Sequence, residues 1–305
     1  MAVEIRQRPT RSRRPQASKV ASRNSLNDLT GKQWIKRTKS WLICDSRRYH
    51  RNRNTELHPA RYPEELVIEF VEFFTKRGQW VLDPFAGSGA TLIGCHETGR
   101  HAVGIELSDR YADMSRQRLT EQGASGCHVL NGDASRVDDP AFWEAGLNGT
   151  MSDLMCSEDS LPRFDCIMTS PPYWDMLRRS RGGVQSTHKQ RAKQGLDTHY
   201  SDHDADLGNI CDYEEFIEAL GGIFDRCARL LRHRGYMIVV AQNVRVPEGE
   251  VRPLAWDLTR RISQTLSFQG ERIWCQDSKK LGIWGYPTVF VPNYHHHYCL
   301  IFQRK

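Results

Sequence analysis

A short apolar run, Trp80-Val81-Leu82, breaks into Asp83-Pro84-Phe85-Ala86-Gly87-Ser88-Gly89-Ala90-Thr91. That junction constrains the fold more than any other stretch of the chain. A glycine-rich turn between a strand and a helix lets a ligand approach the backbone closely and aims the helix amides at it. A second apolar strand, Ala102–Glu106, closes the βαβ unit and ends in an acid 23 residues after Asp83, where such sheets bond a ribose hydroxyl pair. A nicotinamide fingerprint would need glycine at 92, where Leu92 stands, and no Lys-Ser/Thr pair follows the glycines to make a Walker loop. The unit therefore predicts an α/β sheet with its ligand at the carboxyl edge.

The flanking chain extends this pattern. Pro63, Glu64 and Glu65 open a helix whose apolar residues recur at 66, 67, 70, 71 and 74, with Gly78 beyond its end. A helix over Arg110–Leu119 leads to a third strand at Cys127–Leu130 and then to Asp133. An acid at that place either reaches an adenine amino group or caps a plain surface turn. Residues 138–163 are polar and irregular, and the expectation is a surface insertion. After a strand at 164–169, a loop inserted over 178–212 carries Arg178, Arg179, Arg181, Lys189, Arg191 and Lys193 with no acid among them, then turns acidic. The apolar positions from Tyr213 to Leu231 keep a 3.6-residue period, which makes this the clearest helix. A strand at Tyr236–Ala241, a helix near 253–267 and strands near 271–276 and 297–303 complete the sheet. The triple His295-His296-His297 precedes the last strand, whose alternation would divide it between two faces, so no metal site is expected there.

The strand 164–169 runs into Ser170-Pro171-Pro172-Tyr173. Proline ends a strand ladder and holds the preceding residue extended. The expected result is a stiff corner that carries the tyrosine ring past the sheet edge. A serine hydroxyl, a proline carbonyl and a flat aromatic face suit a planar group with an exocyclic amine. The plainer alternative is a proline-rich strand end with a packing tyrosine.

Charge and cysteine use bound the setting. Net charge is +6, but residues 1–25 hold seven basic residues against Glu4, so the remainder is neutral. Such an arm is expected to be disordered and suited to tracking phosphates. Residues 26–57 form an N-terminal extension with Trp34, Trp41 and a basic run, and 58–305 form the main domain. The nine cysteines include no C-x-x-C pair, which points to reduced thiols in a cytoplasmic setting rather than a zinc site or a disulfide framework. No secretory signal or membrane-spanning run is legible.

Together these motifs resemble the S-adenosylmethionine-dependent amino-methyltransferases of DNA, the cytosine-N4 and adenine-N6 enzymes. Residues 83–91 look like their cofactor loop, with Ala90 where threonine is common, and Ser170-Pro171-Pro172-Tyr173 looks like their catalytic tetrapeptide. His58-Pro59-Ala60-Arg61-Tyr62-Pro63 resembles the segment that helps bind the methionine part. The resemblance implies a Rossmann-like methyltransferase fold, with a mostly parallel seven-stranded sheet and one antiparallel strand. It also implies S-adenosyl-L-methionine as cofactor and double-stranded DNA as partner, and leaves room for a companion restriction endonuclease. The cofactor contacts would fall on His58, Pro59, Tyr62, Asp83, Phe85, Gly87, Ser88, Gly89, Thr91, Glu106 and Asp133.

The chemistry so implied is direct transfer to an exocyclic amine of a base that has left the duplex, with Tyr173 stacking on it. Serine at the head of the tetrapeptide favours cytosine N4 over adenine N6. Methylation of RNA or of protein glutamine is the alternative on the same fold, followed by a non-catalytic DNA-binding relative. The cofactor segments precede the tetrapeptide, whereas many relatives with this loop run the other way round. The last strand closes the sequence, so no separate C-terminal recognition domain is expected. The loop 178–212 and the first 57 residues would then do any sequence reading.

Overall fold

The computed structural model describes residues 19–44, 62–147, 154–156, 158–174, 203, 205–246 and 249–305. Its centre is an eight-stranded sheet. In chain order the strands are β1 (Trp41–Ile43), β2 (Trp80–Asp83), β3 (His101–Glu106), β4 (Cys127–Asn131), β5 (Phe164–Thr169), β6 (Leu231–Ala241), β9 (Ser267–Cys275) and β10 (His296–Gln303). A separate small hairpin is made by β7 (Val244–Arg245) and β8 (Val251–Arg252). The sheet order is β1-β9-β10-β6-β5-β2-β3-β4. Every pairing is parallel except those of β10, which runs antiparallel to both β6 and β9. The seven strands expected from the sequence and the single reversed strand are thus present. The eighth, β1, is only three residues long, too short for its alternation to be read.

Helices cover both faces. On one side lie α2 (Glu64–Phe74), α3 (Ala90–Glu97) and α4 (Asp109–Glu121); on the other lie α5 (Pro140–Leu147), α6 (Tyr213–Leu230) and α7 (Leu254–Ile262). Strand β6 shows how the alternation divides the core: Met237, Val239 and Ala241 face the α6 side, while Ile238 and Val240 face the α2 side. In α6 the period read from the sequence is the buried stripe, with Phe216, Leu220 and Leu230 fully excluded from water. Each such side chain contributes roughly 1.5–3 kcal/mol by burial. Asp212 caps the helix by accepting the Glu215 amide at 2.9 Å. A short helix α1 (Gly31–Arg37) joins the α2 layer, where Trp34 packs on Phe73 at 4.8 Å between centroids and Arg37 pairs with Glu69 and Glu72.

Two expectations need correction. The segment 138–163 is not a surface insertion: Pro140–Leu147 is helical, and Trp143, Leu154 and Leu161 are buried in the core. Its polar composition hides the few apolar anchors that matter, and Trp143 Nε1 also donates to the Val137 carbonyl at 2.8 Å. Strand β6 starts at Leu231, directly after α6, rather than at Tyr236. Gly235 sits inside it, where a side chain would meet the Arg232 and Asp165 carbonyl oxygens. Within the arm assigned to residues 1–25, Ala21–Asn24 make a turn, and Val20 bridges Thr30 beyond the arm.

The topology fixes where a ligand goes. Chain order runs outward from β2 through β3 to β4, then returns to β5 on the other flank of β2. The loops leaving β2 and β5 diverge at that switch point, and a crevice opens between them.

Candidate active site

At the carboxyl ends of the strands lies a cavity of about 540 Å³. The glycine-rich loop after β2 and Ser170-Pro171-Pro172-Tyr173 both line it, as do Tyr62, Glu106 and Asp133. Pairing of Val81 with Cys166 and of Leu82 with Ile167 sets β2 against β5, so the loop after one strand faces the corner after the other.

The loop is held by groups behind it. Asp83 is buried, and its Oδ1 accepts the Phe85 amide at 3.0 Å and the Thr169 hydroxyl at 2.6 Å. Its Oδ2 accepts from the Tyr62 hydroxyl at 3.2 Å and from Thr91 Oγ1. Four donors fill the four lone-pair sites of a carboxylate. Burial nevertheless pushes the Asp83 carboxyl above its ordinary range, against the pull of those bonds. Gly87 and Gly89 take positive φ of 50° and 80°, and a side chain at 89 would collide with Ser115 Oγ. Arg118 of α4 donates to the Ser88 carbonyl and pairs with Glu64, pinning the loop from the other side.

Glu106, at the end of β3, accepts the Gly87 amide at 2.8 Å through Oε2 and the Ser108 amide at 2.9 Å through Oε1. Burial outweighs both bonds and raises its carboxyl to about 7. Asp133 caps a short turn, with its oxygens accepting from the Ser135 amide at 2.8 Å and the Ser135 hydroxyl at 2.6 Å. Both roles considered for it are compatible, since it caps a turn and also lines the cavity. These groups suit an adenosine-like ligand: two carboxylates to accept from its hydroxyls and amine, and a glycine loop whose backbone is open to close approach.

The tetrapeptide differs from its expected pose. Tyr173 does not project beyond the sheet; it is buried, and its hydroxyl lies 3.3 Å from the Val240 carbonyl and 3.0 Å from Ser170 Oγ. Burial raises the Tyr173 hydroxyl well above its ordinary range, so it keeps its proton and donates it to the only acceptor of the two without a hydrogen, Val240 O. Ser170 then donates to the tyrosine oxygen, which leaves the Ser170 oxygen as an acceptor toward the cavity.

Of the other expected site residues, Phe85, Gly87 and Ser88 line the cavity, whereas Asp83, Gly89 and Thr91 stand behind the wall and shape it. His58, Pro59 and the basic residues Arg178, Arg179, Arg181, Lys189, Arg191 and Lys193 lie outside the described residues. Sequence reasoning missed the far wall: Gln242, Trp274, Gln276, Lys279 and His297. His297 stacks on Trp274 with centroids 4.5 Å apart and stands 6.1 Å from the Tyr173 ring. Burial and the nearby Lys279 push it down to about 3, so the ring is neutral. Among the described residues, His297 Nδ1 and Gln276 Oε1 are buried without a hydrogen-bond partner. One signal was available. An antiparallel strand begins where its parallel neighbours end, so the histidines opening β10 had to lie at the carboxyl edge. Among the described residues no group of three His, Cys, Asp or Glu is placed to hold a metal ion, and no helix is long and apolar enough to cross a membrane.

The DNA methylase family, which groups N6 and N4 enzymes, matches residues 3–117 of this chain. That match includes the glycine-rich loop 83–91 and stops short of Ser170-Pro171-Pro172-Tyr173. The chain is 34% identical over 89 residues to the type II methyltransferase M.MthZI of Methanothermobacter thermautotrophicus, covering 29% of this chain and 25% of that protein. It is 38% identical over 84 residues to the putative methylase YubD of Escherichia coli K12, covering 26% and 36%. It is 44% identical over 62 residues to the type II methyltransferase M.Cfr9I of Citrobacter freundii, covering 20% and 21%. The matching segment thus spans at most 36% of any of these relatives.

Proposed function

We propose that this chain is an S-adenosylmethionine-dependent amino-methyltransferase of DNA that transfers a methyl group to an exocyclic amine of a DNA base, with cytosine N4 as the acceptor. One observation carries the reading. The glycine-rich loop and the Ser-Pro-Pro-Tyr corner face each other across a single cavity, as a reaction between two bound molecules requires.

S-adenosyl-L-methionine, the cofactor, supplies an electrophilic methyl when bound. Glu106 would take its ribose hydroxyls, Asp133 its adenine amine, and the backbone near Gly87 its closest approach. The base enters from the side of Ser170 and Tyr173, and it must leave the duplex to do so. Its amine donates to the Ser170 oxygen and the Pro171 carbonyl, which draws the nitrogen lone pair out of conjugation and toward the methyl. Transfer of the methyl that the cofactor would supply would leave the amine with one proton to lose to solvent, while Ser170 and Pro171 hold its nitrogen in line. Positioning and hydrogen-bond acceptance do the catalytic work. The serine heading the tetrapeptide favours cytosine. A companion restriction endonuclease belongs to the same proposal, since two of the relatives are type II methyltransferases.

The test is to incubate the purified protein with labelled S-adenosylmethionine and unmethylated bacteriophage DNA, then digest the DNA to nucleosides. Label in N4-methylcytosine is the expected result. Label in N6-methyladenine would overturn the choice of base, and no label in DNA would overturn the activity.

A further inference from the structure

Between β9 and β10 the chain makes a long excursion that the activity so far described does not use. Ile283 is 86% exposed, Tyr286 82% and Phe290 88%, with Leu281, Trp284 and Val289 also largely in solvent. Clustered exposure of this kind marks an interaction site rather than ordinary surface. The excursion is not a loose tail. Asn293 ties it across its neck: its Oδ1 accepts from the Gly282 amide at 2.8 Å and from Trp284 Nε1 at 3.1 Å, and its Nδ2 donates to the Gly282 carbonyl at 3.0 Å. Lys279 Nζ donates to the Tyr294 carbonyl at 2.8 Å. At the tip, the Thr288 and Val289 amides both reach the Gly285 carbonyl at 2.8 Å. These bonds tie the backbone of the segment together while its large side chains stand in solvent.

Two further observations say what covers it. The excursion leaves from the cavity wall and returns to it, since Gln276 and Lys279 at its start and His297 just past its end all line the cavity. Its charge is net positive: Lys279 and Lys280 outweigh Asp277 at its base, and from Ser278 to His297 there is no Asp or Glu. An apolar tip on a stem of net positive charge, beside the pocket proposed to take an extruded base, fits a polyanion whose stacked interior has been opened. Proteins that kink DNA use apolar side chains in this way, as wedges between base steps.

We propose that residues 281–290 form the DNA-opening wedge of this protein, with Ile283, Tyr286 and Phe290 entering the base stack where the target base has left it. The inference rests on the proposed DNA-directed activity. An inserted wedge unwinds the duplex, and unwinding is readable without knowing the recognition sequence. The probe is a nicked plasmid sealed by ligase in the presence of the full chain and S-adenosylhomocysteine, then freed of protein and resolved into topoisomers. The parent protein should lower the linking number in proportion to the amount bound. An Ile283→Ala/Phe290→Ala variant changes only solvent-exposed side chains, so it should fold. It should retard the plasmid at concentrations within about threefold of the parent, since phosphate contacts dominate such binding, yet leave the linking number unchanged.

A parent that binds without shifting topoisomers overturns the inference, and so does a variant that shifts them as the parent does. Gel filtration without DNA supplies a second arm: a parent that self-associates beside a monomeric variant assigns the patch to a second copy of the chain and overturns the wedge. Labelled methyl transfer to the same plasmid separates the two readings. Methylation with unchanged topology removes the wedge alone, whereas a parent that neither binds nor methylates the plasmid removes the proposed function and the wedge with it.

Discussion

The two walls of the cavity are built on opposite principles. On the β2–β4 side the polar groups are already engaged by the protein: Asp83 accepts four donors, Glu106 two amides, and Arg118 grips the loop carbonyl. On the β6–β10 side, His297 Nδ1 and Gln276 Oε1 are buried with no partner among the described residues, and an apolar excursion stands in solvent. A ligand of fixed structure favours the first kind of wall, because a preorganised site avoids the cost of ordering its own groups. A base drawn from a polymer favours the second, with open hydrogen-bonding capacity that only the correct edge satisfies.

Substitutions on the first wall should therefore act on cofactor binding and stability, and the largest effect is expected at Gly87. Its φ of 50°, held by the amide bond to Glu106, is one that a β-branched residue strongly disfavours. Gly87→Val should abolish S-adenosylmethionine binding in calorimetric titration, and parental affinity would remove this loop from the site. Asp83→Asn comes next and separates shaping from binding. Replacing a buried acceptor-only group by an amide leaves donors facing donors, at a cost of about 1–3 kcal/mol. Thermal unfolding should show that loss, while cofactor affinity in the folded variant changes little. Parental stability with lost affinity would make Asp83 a direct ligand.

Glu106 makes the comparison sensitive to pH. Burial raises its carboxyl from the ordinary 4.5 to about 7, so the folded state holds a proton that the unfolded chain has lost, and folding stability falls as pH climbs from 4.5 through 7. Cofactor affinity should move the other way, since ribose hydroxyls donate best to the ionised carboxylate. A tightening of up to about tenfold is expected between about pH 6 and about pH 8. Glu106→Gln should bind more weakly and lose the dependence. A parent with flat affinity over that interval would mean Glu106 does not meet the ribose.

The difference between the walls also explains what was legible beforehand. The first wall is written in consecutive residues, 83–91 followed by Glu106, because one βαβ unit builds it and its glycines have no substitute at those backbone angles. The second wall is assembled from β6, β9 and β10, whose contributions are single side chains at strand ends with no local pattern. His297 looked like one residue of a meaningless triplet until the antiparallel course of β10 put it beside Tyr173. The wedge segment escaped notice because neither alternation nor helical period marks it. In 138–163 the polar average of the segment conceals Trp143 and Leu154, both buried.

A smaller effect concerns the grip on DNA, where the basic run of 178–212 and the amino-terminal arm compete. Replacing Arg178, Arg179 and Arg181 by Ala should flatten the salt dependence of DNA binding by up to about three units of slope, at about 0.9 per phosphate contact. Cofactor affinity should stay unchanged. If deleting residues 1–25 removes the slope and the triple substitution does not, the arm holds the DNA.

The separation of the walls is tested most directly by measuring cofactor affinity and single-turnover methyl transfer on the same preparations of Ser170→Ala and Tyr173→Ala. On the proposed function the Tyr173 ring lining the cavity stacks on the base, and losing such a ring is worth roughly 1–3 kcal/mol, so Tyr173→Ala should slow transfer about tenfold to a hundredfold, and Ser170→Ala should slow it as well. Both should bind S-adenosylmethionine within about twofold of the parent, because neither residue belongs to the wall that holds it. Transfer at the parental rate in both variants, or a collapse of cofactor affinity in both, would contradict the assignment of the tetrapeptide to the base.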